Sequence, residues 1–223
     1  MKALNPDQKI QLYRFEILLF ALVNVIFNRI FFSDLASFLK YIWPINMVVL
    51  GLASVGIFRE RALWLRWIKN ILFAGTILVP FFVEFLFGHP ILRGLSLFIY
   101  ILYYSLIFIE VLRQITNPHE VKVSVIFGSF CGFLILVVMS TFSFLLLDFF
   151  SPHSFSNCDS GNIPVLYFQF IYFSIITMSS IGFGDILPLS DSARLLTGFY
   201  GLAGQFYMVA VVGIIISKFT SKI

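Results

Sequence analysis

Charge is what this sequence has least of. Asp, Glu, Lys and Arg make up only 12% of the 223 residues, while 60% are hydrophobic. An ordinary soluble domain carries about 25% charged residues to keep its surface in water, so a soluble globular fold is excluded. Cysteine is nearly absent too, with only Cys131 and Cys158, which excludes a disulfide scaffold. Cys131 lies inside an apolar run and reads as a small buried hydrophobe. Cys158 lies in a polar loop and is left either free or bridged to another subunit. No His, Cys, Asp and Glu cluster has catalytic or metal-ligand spacing, which makes an enzyme the weakest reading and leaves no cofactor to expect. The formal net charge of +4 comes from scattered Lys and Arg. Without a basic patch on a soluble module, no nucleic-acid partner is expected.

What fills the chain instead is apolar length. A spanning helix needs about 20 largely apolar residues, and charge-poor runs fall at 15–33, 41–58, 70–87, 91–112, 123–147 and 193–217. A further apolar stretch, Val165 to Met178, is too short to cross and runs into a polar loop, the pattern of a re-entrant helix. The expected fold is an all-α membrane protein: six transmembrane helices, with a re-entrant pore helix and loop between the fifth and sixth. Pro164 suits the first turn of that short helix. No small-x-small site follows the first run, so it is expected to be retained and not removed as a signal peptide.

Orientation follows the excess of Lys and Arg on cytoplasmic loops. With the N-terminus inside, the inner side holds Lys2, Lys9, Arg14, Arg59, Arg61, Arg66, Lys69, Arg113, Lys122, Lys218 and Lys222; the outer side holds Arg29, Lys40, Arg93 and Arg194. This predicts a multi-pass protein of the cell membrane with both termini cytoplasmic. The expected division is a cytoplasmic N-terminus at 1–14, a four-helix bundle at 15–116 and a final unit at 117–223, the break falling at Asn117, Pro118 and His119. The apolar runs reach close to both ends, so gating input is expected through the membrane region or a partner. Among the lone charges, Glu84 reads as an interfacial or ion-paired carboxylate near Arg93 or Arg29, with ligand or proton sensing as the alternative. Glu110 and Arg113, three residues apart, are expected to pair. The Arg59–Lys69 loop reads as a topology anchor near anionic lipid heads, with a specific regulatory lipid site as the alternative.

The polar loop is TMSSIGFGDILP, residues 177–188. Irregular backbone at membrane depth is tolerated only where protein buries it or a watery path needs it. Gly182 and Gly184, at alternate positions, admit positive φ, so successive carbonyls can turn toward one axis, and rings of carbonyls can replace the hydration shell of a cation.

Here the sequence resembles the tetrameric potassium channels, whose filter is commonly written T-V-G-Y-G-D. Family pore helices reading like VVSMTTVGYGDMVP are matched by IITMSSIGFGDILP, and AGQFYMVAVVGIIISKF resembles the inner helix of voltage-gated members. The resemblance implies a homotetramer in the lipid bilayer that conducts potassium passively. Permeant K+ would bind at Ser180, Ile181, Gly182 and Phe183, with Gly184 completing the filter. Filter support would come from Asp185, Tyr172, Phe173 and Ser179, and Leu187 would line the outer vestibule. Gly204 falls at the family's hinge glycine, where hinge and close packing both remain open; Gly213 stands where a double proline is usual and offers a second flexible point. Ser180 replaces threonine but keeps the hydroxyl of the innermost ion site. Phe183 replaces tyrosine, and the usual pair of tryptophans is Tyr172 and Phe173, so an apolar Phe173 beside an apolar Phe183 would strand no buried donor, while the Tyr172 hydroxyl is expected to reach Asp185.

A voltage sensor needs Arg or Lys at every third position of one helix. The fourth run, ILRGLSLFIYILYYSLIFIEVLRQI, has only Arg93 and Arg113 at its ends. It predicts weak or no voltage dependence. The rivals are a nonselective cation channel of the same architecture and a potassium-transporter subunit; the single pore-like repeat disfavours the second.

Overall fold

The computed structural model describes residues 13–32, 34, 37–55, 57, 67, 70–71, 73–75, 78, 90–116, 123–160, 163–211 and 213. Of the third apolar run only 70–71, 73–75 and 78 are among these residues, and Glu84, the 117–119 break and the Arg59–Lys69 loop apart from Trp67 lie outside them. Among those described, the chain is helical and has no named strand. Helix α1 spans Arg14–Phe27 and passes into a 3-10 turn, Asn28–Phe31. A π turn, Phe38–Ile42, leads into α2, Trp43–Val55. Then come α3, Pro90–Thr116, α4, Val123–Phe150, and α5, Ile163–Met178. The last, α6, spans Asp191–Phe206 and continues through a π turn, Tyr207–Val211. Ile91–Thr116 and Ser124–Phe150 are long and apolar enough to cross a membrane; Val165–Met178 is apolar but shorter.

Helix α4 is the hub, packed against α1, α3, α5 and α6. Apolar side chains gain little by leaving lipid for protein, so helices in a bilayer associate through close approach of small residues and through interhelical hydrogen bonds. Helix α4 is built for both. A Cβ on Gly128 would lie 2.8 Å from Ile115 and 3.1 Å from Phe15, and one on Gly132 would run into the Tyr207 hydroxyl. Through these two notches α4 receives α3, α1 and the turn after α6. Cys131 is buried and its Sγ donates to the Phe15 carbonyl at 3.3 Å. Polar contacts repeat along the helix: Thr141 meets Ser174 of α5 at 3.2 Å, Ser143 meets Tyr200 of α6 at 2.7 Å, and the Tyr207 hydroxyl donates to the Ser129 carbonyl at 2.8 Å.

Along α3, aromatic rings stand where a charge ladder would. Tyr100 stacks on Phe142 of α4 at 4.7 Å and 15°, Tyr104 lies over the same ring at 5.7 Å and 9°, and Phe142 meets Tyr167 of α5 at 5.8 Å. All four are buried. Tyr103 faces the other way, its hydroxyl against that of Ser54 in α2. The expected Glu110–Arg113 pair does not form. Gln114, one turn further along the buried side, donates to both Glu110 Oε1 and the Ile57 carbonyl at 2.6 Å, while Arg113 faces outward.

The notch and the hydrogen bond separate experimentally. Tyr207→Phe removes one intramembrane hydrogen bond and is expected to cost about 0.6 kcal/mol. Gly132→Val overfills the notch and should cost about 1–3 kcal/mol. Thermal unfolding of the purified protein in detergent measures the order of the two.

Candidate functional site

The last four carbonyls of a helix have no partner within it, and at the end of α5 each finds one outside the α-helical pattern or from a side chain. The Ile175 carbonyl accepts from Ser179 N at 2.9 Å and from Ser179 Oγ at 2.6 Å. That of Ile176 accepts from both Ile181 N, at 2.9 Å, and Gly182 N, at 3.1 Å, and that of Thr177 from Ser180 N at 3.1 Å. The Met178 carbonyl accepts from the Gln205 side chain at 3.0 Å.

This turns the loop's first N–H groups back onto the helix. Its own carbonyls are left over: among the described residues, none donates to a carbonyl of Ser180 to Gly184. The backbone alternates as it leaves the helix, with φ of +59° at Ser180, +55° at Gly182 and +78° at Gly184. Neither glycine is crowded, since a Cβ on either would meet nothing within 4 Å; φ is what calls for glycine there. Ser180 has no such licence, and a left-handed L-residue costs about 1–2 kcal/mol. Its Oγ accepts from Gln205 Nε2 at 2.6 Å.

The outer loop braces the far side. Asn157 Nδ2 donates to the Asp185 carbonyl at 2.6 Å, and Ser156 exchanges two bonds with Leu187, its N–H to the Leu187 carbonyl at 2.8 Å and its Oγ accepting from Leu187 N at 2.9 Å. Leu189 N donates to the Ser154 carbonyl at 2.8 Å, and Phe155 bridges to Pro188. Ser190 then caps α6, its side chain accepting from Ala193 N at 3.2 Å, as a serine before a first helical turn does.

Among the residues expected from sequence, Tyr172 faces Asp185 and its hydroxyl interacts with that carboxylate. Ser179 turns back on α5, and Leu187 keeps an exposed side chain. Phe173 and Phe183 are not brought together within one chain. Phe173 is buried against Phe144 and Phe155, at 5.3 and 5.7 Å, because α5 turns it toward α4 and the outer loop, whereas Phe183 is 71% exposed. Gly204 is closely packed: a Cβ there would lie 2.8 Å from the Met178 Cβ and 3.1 Å from its carbonyl. Gly213 is helical and open. Within the chain neither Cys158 nor Cys131 is in a disulfide. Partial burial, with the carboxylates of Asp148 and Asp185 nearby, pushes the Cys158 thiol up to about 11. It stays protonated at neutral pH.

Two residues escaped the sequence reading, Gln205 and Asn157. A lone amide in an apolar helix was the available signal for Gln205; Asn157 carried none among the polar residues of its loop.

A short apolar helix packed against α4 and α6 thus ends in a loop whose carbonyls are left without donors, the kind of backbone that can line an ion path. The model of a family described as "Ion channel" matches residues 132–221. Voltage-gated potassium channel Kch of Escherichia coli (strain K12) is 33% identical over 178 residues, covering 77% of this chain and 37% of its own. Two pore potassium channel b of Oryza sativa subsp. japonica is 35% identical over 83 residues, 37% of this chain and 23% of its own. Potassium voltage-gated channel protein Shal of Drosophila melanogaster is 24% identical over 90 residues, 40% and 15%. The chain thus spans little more than a third of the first of these relatives. It is a membrane protein similar in sequence to potassium channels.

The brace is testable by exchange. Asn157→Ala removes the donor to the Asp185 carbonyl, a loss of about 1 kcal/mol, and the amides of Leu187 and Leu189 should exchange roughly fivefold faster. Hydrogen–deuterium exchange of the two proteins under matched conditions measures it.

Proposed function

We propose that this chain conducts potassium ions passively across the cell membrane, as a homotetramer in which each copy contributes one filter strand. The observation that carries this is the alternation of left-handed φ at Ser180, Gly182 and Gly184 beside carbonyls that receive no donor. A single strand cannot ring an ion, whereas four around an axis offer oxygens that replace its water shell. Ser180, Ile181, Gly182, Phe183 and Gly184 are the ion-binding segment, with Ser179, Tyr172, Phe173 and Asp185 behind it and Leu187 at the vestibule. The ligand is the permeant ion itself, and no resident cofactor is required.

The reading includes six spans with a re-entrant α5, termini in the cytoplasm and a pore unit over 117–223. Support for a tetramer comes from α6 and the turn after it, which leave Leu195, Phe199, Leu202, Phe206 and Val209 62–76% exposed. Their spacing of four, three, four and three residues is the stripe with which a helix meets a like helix. A second copy of the chain covers it and the exposed Phe183 together.

Reconstitution in planar bilayers under bi-ionic potassium and sodium is the test. The reversal potential is expected to lie far from zero in the direction of potassium selectivity; a value near zero would favour the nonselective channel and refute this reading. Gly182→Ala should abolish the potassium current while leaving the oligomer assembled, since a Cβ opposes the φ of that position.

Helix α3 bears on gating. Each charge moved across the field is worth about 2.3 kcal/mol per 100 mV, and between Arg93 and Arg113 this helix has buried tyrosines instead. The conductance–voltage relation should be shallow, with far fewer than the roughly three to four gating charges per subunit of an arginine ladder. Single-channel open probability between −100 and +100 mV, taken as about the range over which such ladders respond, decides it.

A further inference from the structure

Gln205 lies one residue beyond Gly204 on α6, and its side chain crosses to the end of α5. One nitrogen, Nε2, reaches two oxygens, the Met178 carbonyl at 3.0 Å and the Ser180 hydroxyl at 2.6 Å. The carbonyl can only accept, so the amide is oriented with its NH2 toward both, and each of its two protons has a taker. Ser180 Oγ is then an acceptor in this bond. Its own proton must point elsewhere, and of its two lone pairs one is engaged by Gln205 and one is free for a cation.

The contact also fixes distance. Gly204 lets α6 approach Met178 closely enough for a Cβ to be only 2.8 Å away, and the next turn, Tyr207–Val211, is π-helical. Any displacement of α6 at this level acts on Ser180 through two bonds and one close contact. Ser180 is the non-glycine member of the left-handed series, and this bond is the side-chain hydrogen bond that it receives.

We propose that Gln205 is a positioning residue for the innermost ion site: it sets the Ser180 hydroxyl and makes cation occupancy at that site follow the position of the inner helix. This rests on the conduction reading above and adds to it a residue outside the filter segment.

The test is a double-mutant cycle read by internal barium block, which reports a divalent cation held at the filter's inner end. Gln205→Met keeps length and removes both donors. Block of the channel by internal Ba2+ should weaken about fivefold to tenfold in Q205M, the loss of one hydrogen bond at the site, and by at least that factor in S180A, which removes the ligand oxygen as well as the contact. In the double variant the loss should match that of S180A alone, because Gln205 acts through the Ser180 hydroxyl. Multiplied losses, or block in Q205M equal to the unsubstituted channel, would overturn the proposal. A merely structural role would alter expression or stability in both backgrounds alike and leave the barium ratio unmoved.

Should Q205M fail to assemble, the unsubstituted Gln205 serves. With glutamine side chains labelled with 15N, its amide signal should shift between the original channel and S180A, and an unshifted signal refutes the bond. Failure of the parent reading looks different: no potassium-selective current from the unsubstituted channel removes the conduction reading and this proposal with it, whereas selective current with an unchanged Q205M refutes this proposal alone.

Discussion

A backbone carbonyl taken out of water must be given a donor, and the economy of this chain turns on where that rule is met and where it is not. The final turn of α5 meets it at every carbonyl, using N–H groups of the following loop and the amide of Gln205. The residues that follow leave it unmet from Ser180 to Gly184. The two facts are one: N–H groups folded back onto the helix are on the opposite side of the strand from the carbonyls, and alternating φ keeps them there. A row of unmet acceptors is unstable unless something else holds the strand. The outer loop bonded to Asp185, Leu187 and Leu189, the Tyr172–Asp185 contact and the Gln205 bridge supply that frame.

The frame is only as steady as what stands behind it, which is α4. Its glycine notches bring neighbouring backbones close, and its hydroxyls tie α5 and α6 at two heights. The stacked rings of Tyr100, Tyr104, Phe142 and Tyr167 extend the same rigid body from α3 through α4 to α5. Helices α3 and α5 are thus joined through α4 by dispersion and close approach, forces that do not depend on membrane potential.

How much of this the sequence carried depends on whether the cause was local. Helix α5 lies at 163–178 where an apolar stretch at 165–178 was expected, and α3 and α4 match apolar runs at 91–112 and 123–147, because length without charge is written in the residues themselves. Gly182 and Gly184 advertised their φ. Ser180 did not, since serine has no preference for the left-handed region and is held there by its context, including a side chain 25 residues away. Asn157 was silent for the same reason, its partner lying 28 residues on. Phe173 is turned toward Phe144 and Phe155 by the packing of α5 on α4 and the outer loop, a tertiary choice not written in the residues beside it.

The π turn at Tyr207–Val211 changes the phase of the helix it ends. A π turn takes up about one residue more than the α turn it replaces, and an α-helix advances about 100° per residue. Leu195, Phe199, Leu202 and Phe206 set a rotational phase for α6, and the extra residue resets that phase before the chain leaves Val211. Val211 therefore stands about a quarter-turn from where an uninterrupted α-helix would carry it, so one residue gained or lost in this turn rotates the helix below without bending the helix above.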